Sequence, residues 1–217
     1  MILFKNPVRS ISVRCYRTQL VKLFSTRDVY ACDLKIGSLF RAGQIEDARQ
    51  VFDQMPQRDV VTWNGLITGY WKNGHFQESK RLFEMMPIRN VVSWNSMVAG
   101  FVENGMVDEA FIYFKAMPKR NTASWNAMIS GLLKCDRVEE ASRHFEKMPC
   151  RDVDSYTAMI DGYGKRGEIE KARGLFDVMP RRNQVSWTVM ISGYVENGRF
   201  DEALELYKRL PEKMWLQ

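Results

Sequence analysis

Histidine is nearly absent from this 217-residue chain, with His75 and His144 the whole supply, and cysteine is limited to Cys15, Cys32, Cys135 and Cys150. The cysteines show no C-x-x-C spacing, and neither histidine sits in an H-x-E or H-E-x-x-H context. The ligand patterns of zinc fingers, zinc deaminases and metalloproteases are therefore missing. Scattered reduced thiols with no bound metal or other cofactor are the expectation. No run approaches the ~18–20 consecutive apolar residues that a membrane span needs. Nucleophile, base and orienting group do not come together in any motif, so the chain reads as a non-enzyme.

Acidic residues are missing from the first 27 positions, where Lys5, Arg9, Arg14, Arg17, Lys22 and Arg27 carry the whole net charge of +6. The rest of the chain is neutral, so its basic pI is no argument for nucleic-acid binding. A basic, serine-containing stretch with interspersed Ile2, Leu3, Phe4, Ile11, Val13, Leu20 and Phe24 has the composition of an organelle transit peptide. Residues 1–28 are read as that segment. Arginine content and the absence of a secretory apolar core favour the mitochondrion, with the chloroplast second. Arg14-Cys15-Tyr16 and Lys22-Leu23-Phe24-Ser25 both resemble processing sites. The competing reading is a basic arm that touches RNA directly.

What is abundant is repetition. Units of 31 residues run 60–90, 91–121, 122–152 and 153–183 without insertion or deletion, preceded by a divergent unit at 29–59 and followed by 184–214. Trp63, Trp94, Trp125, Tyr156 and Trp187 hold one register, and Met55-Pro56, Met86-Pro87, Met117-Pro118, Met148-Pro149, Met179-Pro180 and Leu210-Pro211 another. A period in this range denotes stacked supersecondary units.

Within 60–90, Val60, Trp63, Leu66, Ile67 and Tyr70 mark one helix face, Asn73-Gly74 closes that helix, and Phe76, Leu82, Phe83 and Met86 mark a second. Each unit is thus a helix–turn–helix hairpin that cannot bury both stripes alone. An all-α, right-handed solenoid of stacked hairpins is expected, with the Trp and Met-Pro series as packing and turn residues. In 122–152 Cys135-Asp136 replaces Asn-Gly, which predicts a strained turn rather than a broken array, since Asp visits the left-handed region.

Two polar series lie outside that packing logic. The fifth position holds Asp33, Asn64, Asn95, Asn126, Thr157 and Thr188, residue types that disfavour a helix interior. The last position holds Asp59, Asn90, Asn121, Asp152 and Asn183. Asp and Asn are favoured N-caps and a helix follows, so capping and ligand binding are both open at the last position. Val61, Val92, Ala123 and Val185 form a third row opposite the packed stripe, on a face shared with Lys72 and Lys165. Small aliphatic groups beside amides and hydroxyls suit flat ligands with polar edges, such as bases.

The phrases Val-Val-Thr-Trp-Asn-Gly-Leu-Ile-Thr-Gly-Tyr (60–70) and Val-Val-Ser-Trp-Asn-Ser-Met-Val-Ala-Gly-Phe (91–101), with Met-Pro ending each unit, resemble pentatricopeptide repeat proteins of land-plant organelles. The 31-residue length resembles their short repeat class, and the likeness covers about 29–214. It implies an α-solenoid that binds single-stranded RNA with one nucleotide per repeat. Fifth and last residues select the base and the second residue wedges beside it. Carried over, Asn64/Asn90 and Asn95/Asn121 imply pyrimidines, Asn126/Asp152 uracil and Thr157/Asn183 adenine. Thr188 implies a purine, but its partner position holds Met214, which is no code residue. Asp33/Asp59 matches no rule, and Asp154 replaces the wedge aliphatic. The C-terminal zinc deaminase of some family members has no counterpart in this sequence. A trans-acting editing deaminase or another RNA-processing protein is a possible partner; no membrane and no small-molecule substrate are expected. Two alternatives stay open. One is a protein-interaction scaffold like the tetratricopeptide arrays, against which stand the 31-residue period and the missing W-x2-L-G-x2-Y pattern. The other is a truncated family member with weak activity.

Overall fold

The computed structural model describes residues 26–211, and among them every regular element is an α-helix. The helices are α1 (Thr26–Arg41), α2 (Ile45–Gln54), α3 (Val60–Lys72), α4 (Phe76–Met85), α5 (Val91–Glu103), α6 (Val107–Ala116), α7 (Thr122–Lys134), α8 (Val138–Lys147), α9 (Val153–Lys165), α10 (Ile169–Val178), α11 (Gln184–Glu196) and α12 (Phe200–Lys208). They pair in order into helical hairpins, the all-α solenoid architecture. Contacts group them into two compact units, the first ending at Asn90 with α1–α4, the second starting at Val91 with α5–α12. Most of the basic leader, and Met214, lie outside the described residues.

The ends of each hairpin follow from a few recurrent residues. Asp59, Asn121, Asp152 and Asn183 have extended backbone, and each accepts a bond from the N–H three residues on. That satisfies one of the donors a helix start leaves bare. At the turns Gly74 has φ +78° and Asp136 has φ +57°, so the left-handed turn expected at Asp136 forms without breaking the hairpin. Second helices end at the buried Met of each Met-Pro pair, where ψ opens to between 120° and 124°.

In the first unit α3 stacks on α1, and Phe52 meets Trp63 edge-on at 4.9 Å. In the second unit α5, α7, α9 and α11 stack in sequence. Phe114–Trp125, Phe145–Tyr156 and Phe176–Trp187 repeat the same T-shaped pair at 5.0, 5.1 and 5.0 Å. The Trp series is thus a packing series, as its register suggested. Val102 and Gly131 explain why stacking needs glycine in the middle of a first helix. A Cβ on Gly131 would stand 2.6 and 2.8 Å from the two Val102 methyls. Polar clamps add to this. Asn197 Nδ2 donates to Gly193 O at 2.7 Å and across to Gly164 O of the preceding hairpin at 2.9 Å. Arg137–Asp108 and Arg199–Glu170 ion pairs join successive second helices.

Candidate nucleic-acid interface

The fifth-position residues all lie on first helices, and the last-position residues stand one step before the next first helix. The second-position residues Val61, Val92 and Val185 are 65%, 57% and 57% exposed, each one residue after the start of its first helix. Ala123 and Asp154 are exposed in the same register.

Two fifth/last pairs are hydrogen-bonded across 26 residues of chain. Asn95 Nδ2 donates to Asn121 Oδ1 at 3.2 Å, and Asn126 Nδ2 donates to both carboxylate oxygens of Asp152 at 3.1 Å. Asp152 offers only acceptors, so it fixes which way the Asn126 amide faces. The Asn126 Oδ1 is left buried with no hydrogen-bond partner among the described residues. Thr157 behaves differently: its hydroxyl donates to Val153 O of its own helix at 2.7 Å rather than to Asn183. Thr188 does the same toward Gln184 O at 2.9 Å. In the first unit Asn64 is buried with Oδ1 unpartnered among the described residues, while Asn90 is exposed.

Capping and pairing meet in the last-position residue. Asn121 Oδ1 accepts from Ser124 N at 3.0 Å, Asp152 Oδ1 from Ser155 N at 2.9 Å and Asn183 Oδ1 from Ser186 N at 2.9 Å. One oxygen is committed to the helix, so Asn183 has its amide NH2 to offer and Asp152 its second oxygen. Burial opposes charge on Asp152, but the Ser155 N–H and the Asn126 amide outweigh it and hold the carboxyl below its usual value. An acid depressed in the folded state stabilises above its unfolded pKa, and that contribution disappears as pH falls through the folded value. Asp33 is the opposite case: burial, and next the charge of Asp59, push its carboxyl up against the pull of the Thr62 hydroxyl. Folding therefore favours the protonated Asp33, and this term weakens as pH rises.

The sequence reading overlooked two sets of residues around this row. Arg58, Arg89, Arg120, Arg151 and Arg182 stand immediately before the last position. In each hairpin the Arg Nε donates to the carbonyl six residues back at 2.7–2.9 Å, and Nη2 donates to the next carbonyl at 2.6–2.8 Å. The guanidinium also stacks on the Phe of that turn, as with Arg151 at 4.7 Å from the Phe145 centroid. These arginines cap second helices and anchor the link to the next unit. The third-position hydroxyls Thr62, Ser93, Ser124, Ser155 and Ser186 are the second set, all 0–1% exposed. Both sets recur with the 31-residue period, which is the signal that marks them. Among the described residues no group of three or more His, Cys, Asp or Glu could hold a metal ion, and no helix is long and apolar enough to cross a membrane.

A family model for the PPR repeat matches residues 36–60, 61–91, 92–122, 123–153, 154–184 and 185–214. A pentatricopeptide repeat-containing protein of Arabidopsis thaliana is 34% identical over 59 residues, covering 27% of this chain and 8% of its own length. Another from the same plant, described as mitochondrial, is 56% identical over 34 residues, or 16% of this chain and 5% of the relative. A third, described as chloroplastic, is 41% identical over 44 residues, or 20% of this chain and 6% of the relative. The chain thus spans under a tenth of the length of each of these three relatives. Among solved structures, the pentatricopeptide repeat protein PPR10 from maize superposes with a TM-score of 0.66 at 17% identity, over 91% of this chain and 30% of that one. PPR10 in complex with an 18-nt psaJ RNA element gives 0.57 at 15% identity, over 93% and 43%. The nuclear protein-only RNase P 2 of Arabidopsis thaliana gives 0.55 at 11% identity, over 77% and 42%.

Proposed function

The chain belongs to the pentatricopeptide repeat family, and from that premise we propose that it is a sequence-selective adaptor for single-stranded RNA in a plant organelle. One observation carries the reading. The fifth and last side chains of successive repeats are hydrogen-bonded in different ways beside an exposed aliphatic row. At Asn126/Asp152 the unpartnered group is the Asn126 Oδ1 acceptor, which suits the N3–H of uracil. At Thr157/Asn183 the hydroxyl proton is spent on Val153 O, leaving an oxygen that accepts from the adenine N6 amine, while the Asn183 NH2 donates to adenine N1. Asn64/Asn90 and Asn95/Asn121 take pyrimidines. Read in parallel orientation the core is pyrimidine, pyrimidine, uracil, adenine. Unit 184–214 takes a purine through Thr188, and Asp154 weakens its own repeat by placing a carboxylate where the base stacks. The protein acts on its transcript by occupying a site for editing, stabilisation or splicing, with any deaminase supplied in trans.

The decisive test recodes one repeat. Asn126→Thr with Asp152→Asn recreates the Thr157/Asn183 pair, and preference at that nucleotide is expected to move from uracil to adenine. Discrimination should be worth about 1–3 kcal/mol, as for other bidentate base contacts. Binding to short RNAs differing only there decides it, with circular dichroism reporting the fold. A double mutant that keeps its uracil preference defeats the assignment. Delivery to mitochondria is assigned to residues 1–28 on the strength of their acid-free basic composition. A fluorescent reporter carrying residues 1–50 that stays in the cytosol would reject it.

A further inference from the structure

The unit 91–121 leaves open which pyrimidine its Asn95/Asn121 pair takes, and a side chain of the following hairpin bears on the choice. Ser124 is fully buried at the third position of its unit. Its Oγ accepts from Asn121 N at 3.2 Å, so its single proton goes to an acceptor. Two lie in reach, Asn95 Oδ1 at 2.6 Å and Asn121 Oδ1 at 2.8 Å. The corresponding hydroxyls of the next two units, Ser155 and Ser186, donate elsewhere. Thr62 donates to Asp59 Oδ1 at 3.1 Å, while Ser155 and Ser186 donate to the backbone oxygens of Asp152 and Asn183, both at 2.8 Å. Ser124 thus differs from Ser155 and Ser186, whose hydroxyls bond the residue that they cap rather than a fifth-position side chain.

The geometry has a chemical consequence. Ser124 holds the Asn95 carbonyl oxygen inward, and Asn121 Oδ1 is occupied by the Ser124 N–H and the Asn95 amide. What remains outward is mainly N–H: both protons of Asn121 Nδ2 and one of Asn95 Nδ2. O2 accepts in both pyrimidines, but cytosine N3 is also an acceptor, whereas uracil N3 carries a proton that needs one. We propose that Ser124 is a specificity-determining positioning residue which, by bonding Asn95 Oδ1, makes unit 91–121 prefer cytosine to uracil. The proposal rests on the base-reading function put forward above. It explains why two asparagine fifth positions differ. The Asp152 carboxylate claims the NH2 of Asn126 and leaves that oxygen without a partner among the described residues, and Ser124 claims the oxygen of Asn95 and leaves the NH2.

Binding of the full chain would be measured against short RNAs carrying cytosine or uracil at the nucleotide facing unit 91–121. Wild type is expected to favour cytosine. Ser124→Ala frees the Asn95 amide to turn over, and the cytosine-to-uracil ratio should fall about fivefold, the worth of one neutral hydrogen bond. Ser124→Thr keeps the hydroxyl and should keep the preference. Ser124→Cys fills the same space with a weak donor and should act like alanine if the alanine variant unfolds. Ser155→Ala removes an equally buried hydroxyl that does not bond Asn126, and should leave the uracil preference of unit 122–152 unchanged. An unchanged ratio in folded Ser124→Ala or Ser124→Cys overturns the proposal, as does an equal loss of uracil preference in Ser155→Ala. In those results the uracil-to-adenine recoding still stands. No RNA binding by wild type would remove both.

Discussion

At the scale of single residues, the arginine before each last-position residue shows how much of the candidate site is held by chemistry outside it. Arg151 bonds two carbonyls at the end of α8 and stacks on Phe145, and the next residue in the chain is Asp152. Replacing Arg151 with Met removes both bonds and keeps most of the aliphatic stem. The loss should be about 1–2 kcal/mol of stability, since charged donors are worth more than neutral ones but this group is solvent-exposed. Arg151→Lys should recover less than half, because an ammonium cannot bridge two carbonyls as a planar fork does. Urea denaturation of the three proteins checks this, and a Lys variant equal to wild type would reduce the clamp to its charge.

At the scale of the element, the helices were legible from the sequence and the contacts between them were not. Apolar spacing and the Asn-Gly and Met-Pro breaks gave helix ends that the structure reproduces, as at Val60–Lys72 and Phe76–Met85. The glycine shared by the first helices from Val60–Lys72 onward, Gly131 among them, is visible in the sequence only as a recurrence. Its reason lies in Val102, 29 residues before Gly131, and no local pattern carries that information. The fifth and last positions stood out because Asn and Thr disfavour helix interiors. The hydroxyl that orients Asn95 looked like one more capping serine. A paired substitution tests the packing argument. Alanine has higher helix propensity than glycine by about 1 kcal/mol, so Gly65→Ala, where an added Cβ has open space, should stabilise by up to that amount. Gly131→Ala has the same propensity gain but drives a methyl into both Val102 methyls, so side-chain rotation offers no escape. It should destabilise by about 1–3 kcal/mol. Thermal unfolding of the two variants checks the opposite signs, and stabilisation by both would dismiss the close approach.

At the scale of the whole molecule, charge is distributed so that the repeats contribute little non-specific attraction for RNA. Beyond position 27 basic and acidic residues balance. At the repeat position that carries Lys72, Lys134 and Lys165, the units 91–121 and 184–214 have Glu103 and Glu196. If about three phosphates are neutralised, the slope of log affinity against log salt should be about −2 for a single strand. Titrations of the full chain between low and physiological salt measure it. A slope twice as steep would mean that the basic leader engages the RNA, the reading set aside in favour of a transit peptide.

The double duty of the last-position side chain limits how such a protein can change its target. Asn121, Asp152 and Asn183 each face a nucleotide in the proposed reading while closing the start of the neighbouring helix. Only residues with a short oxygen-bearing side chain serve both roles, so the vocabulary at this position is set by folding before recognition selects from it. Drift to an aliphatic residue would not yield a repeat that tolerates any base. It would loosen the adjoining hairpin, and selection for stability would remove the variant whatever its RNA. Recoding therefore proceeds by exchange within a small set of caps, with the fifth position, free of that constraint, supplying the wider choice.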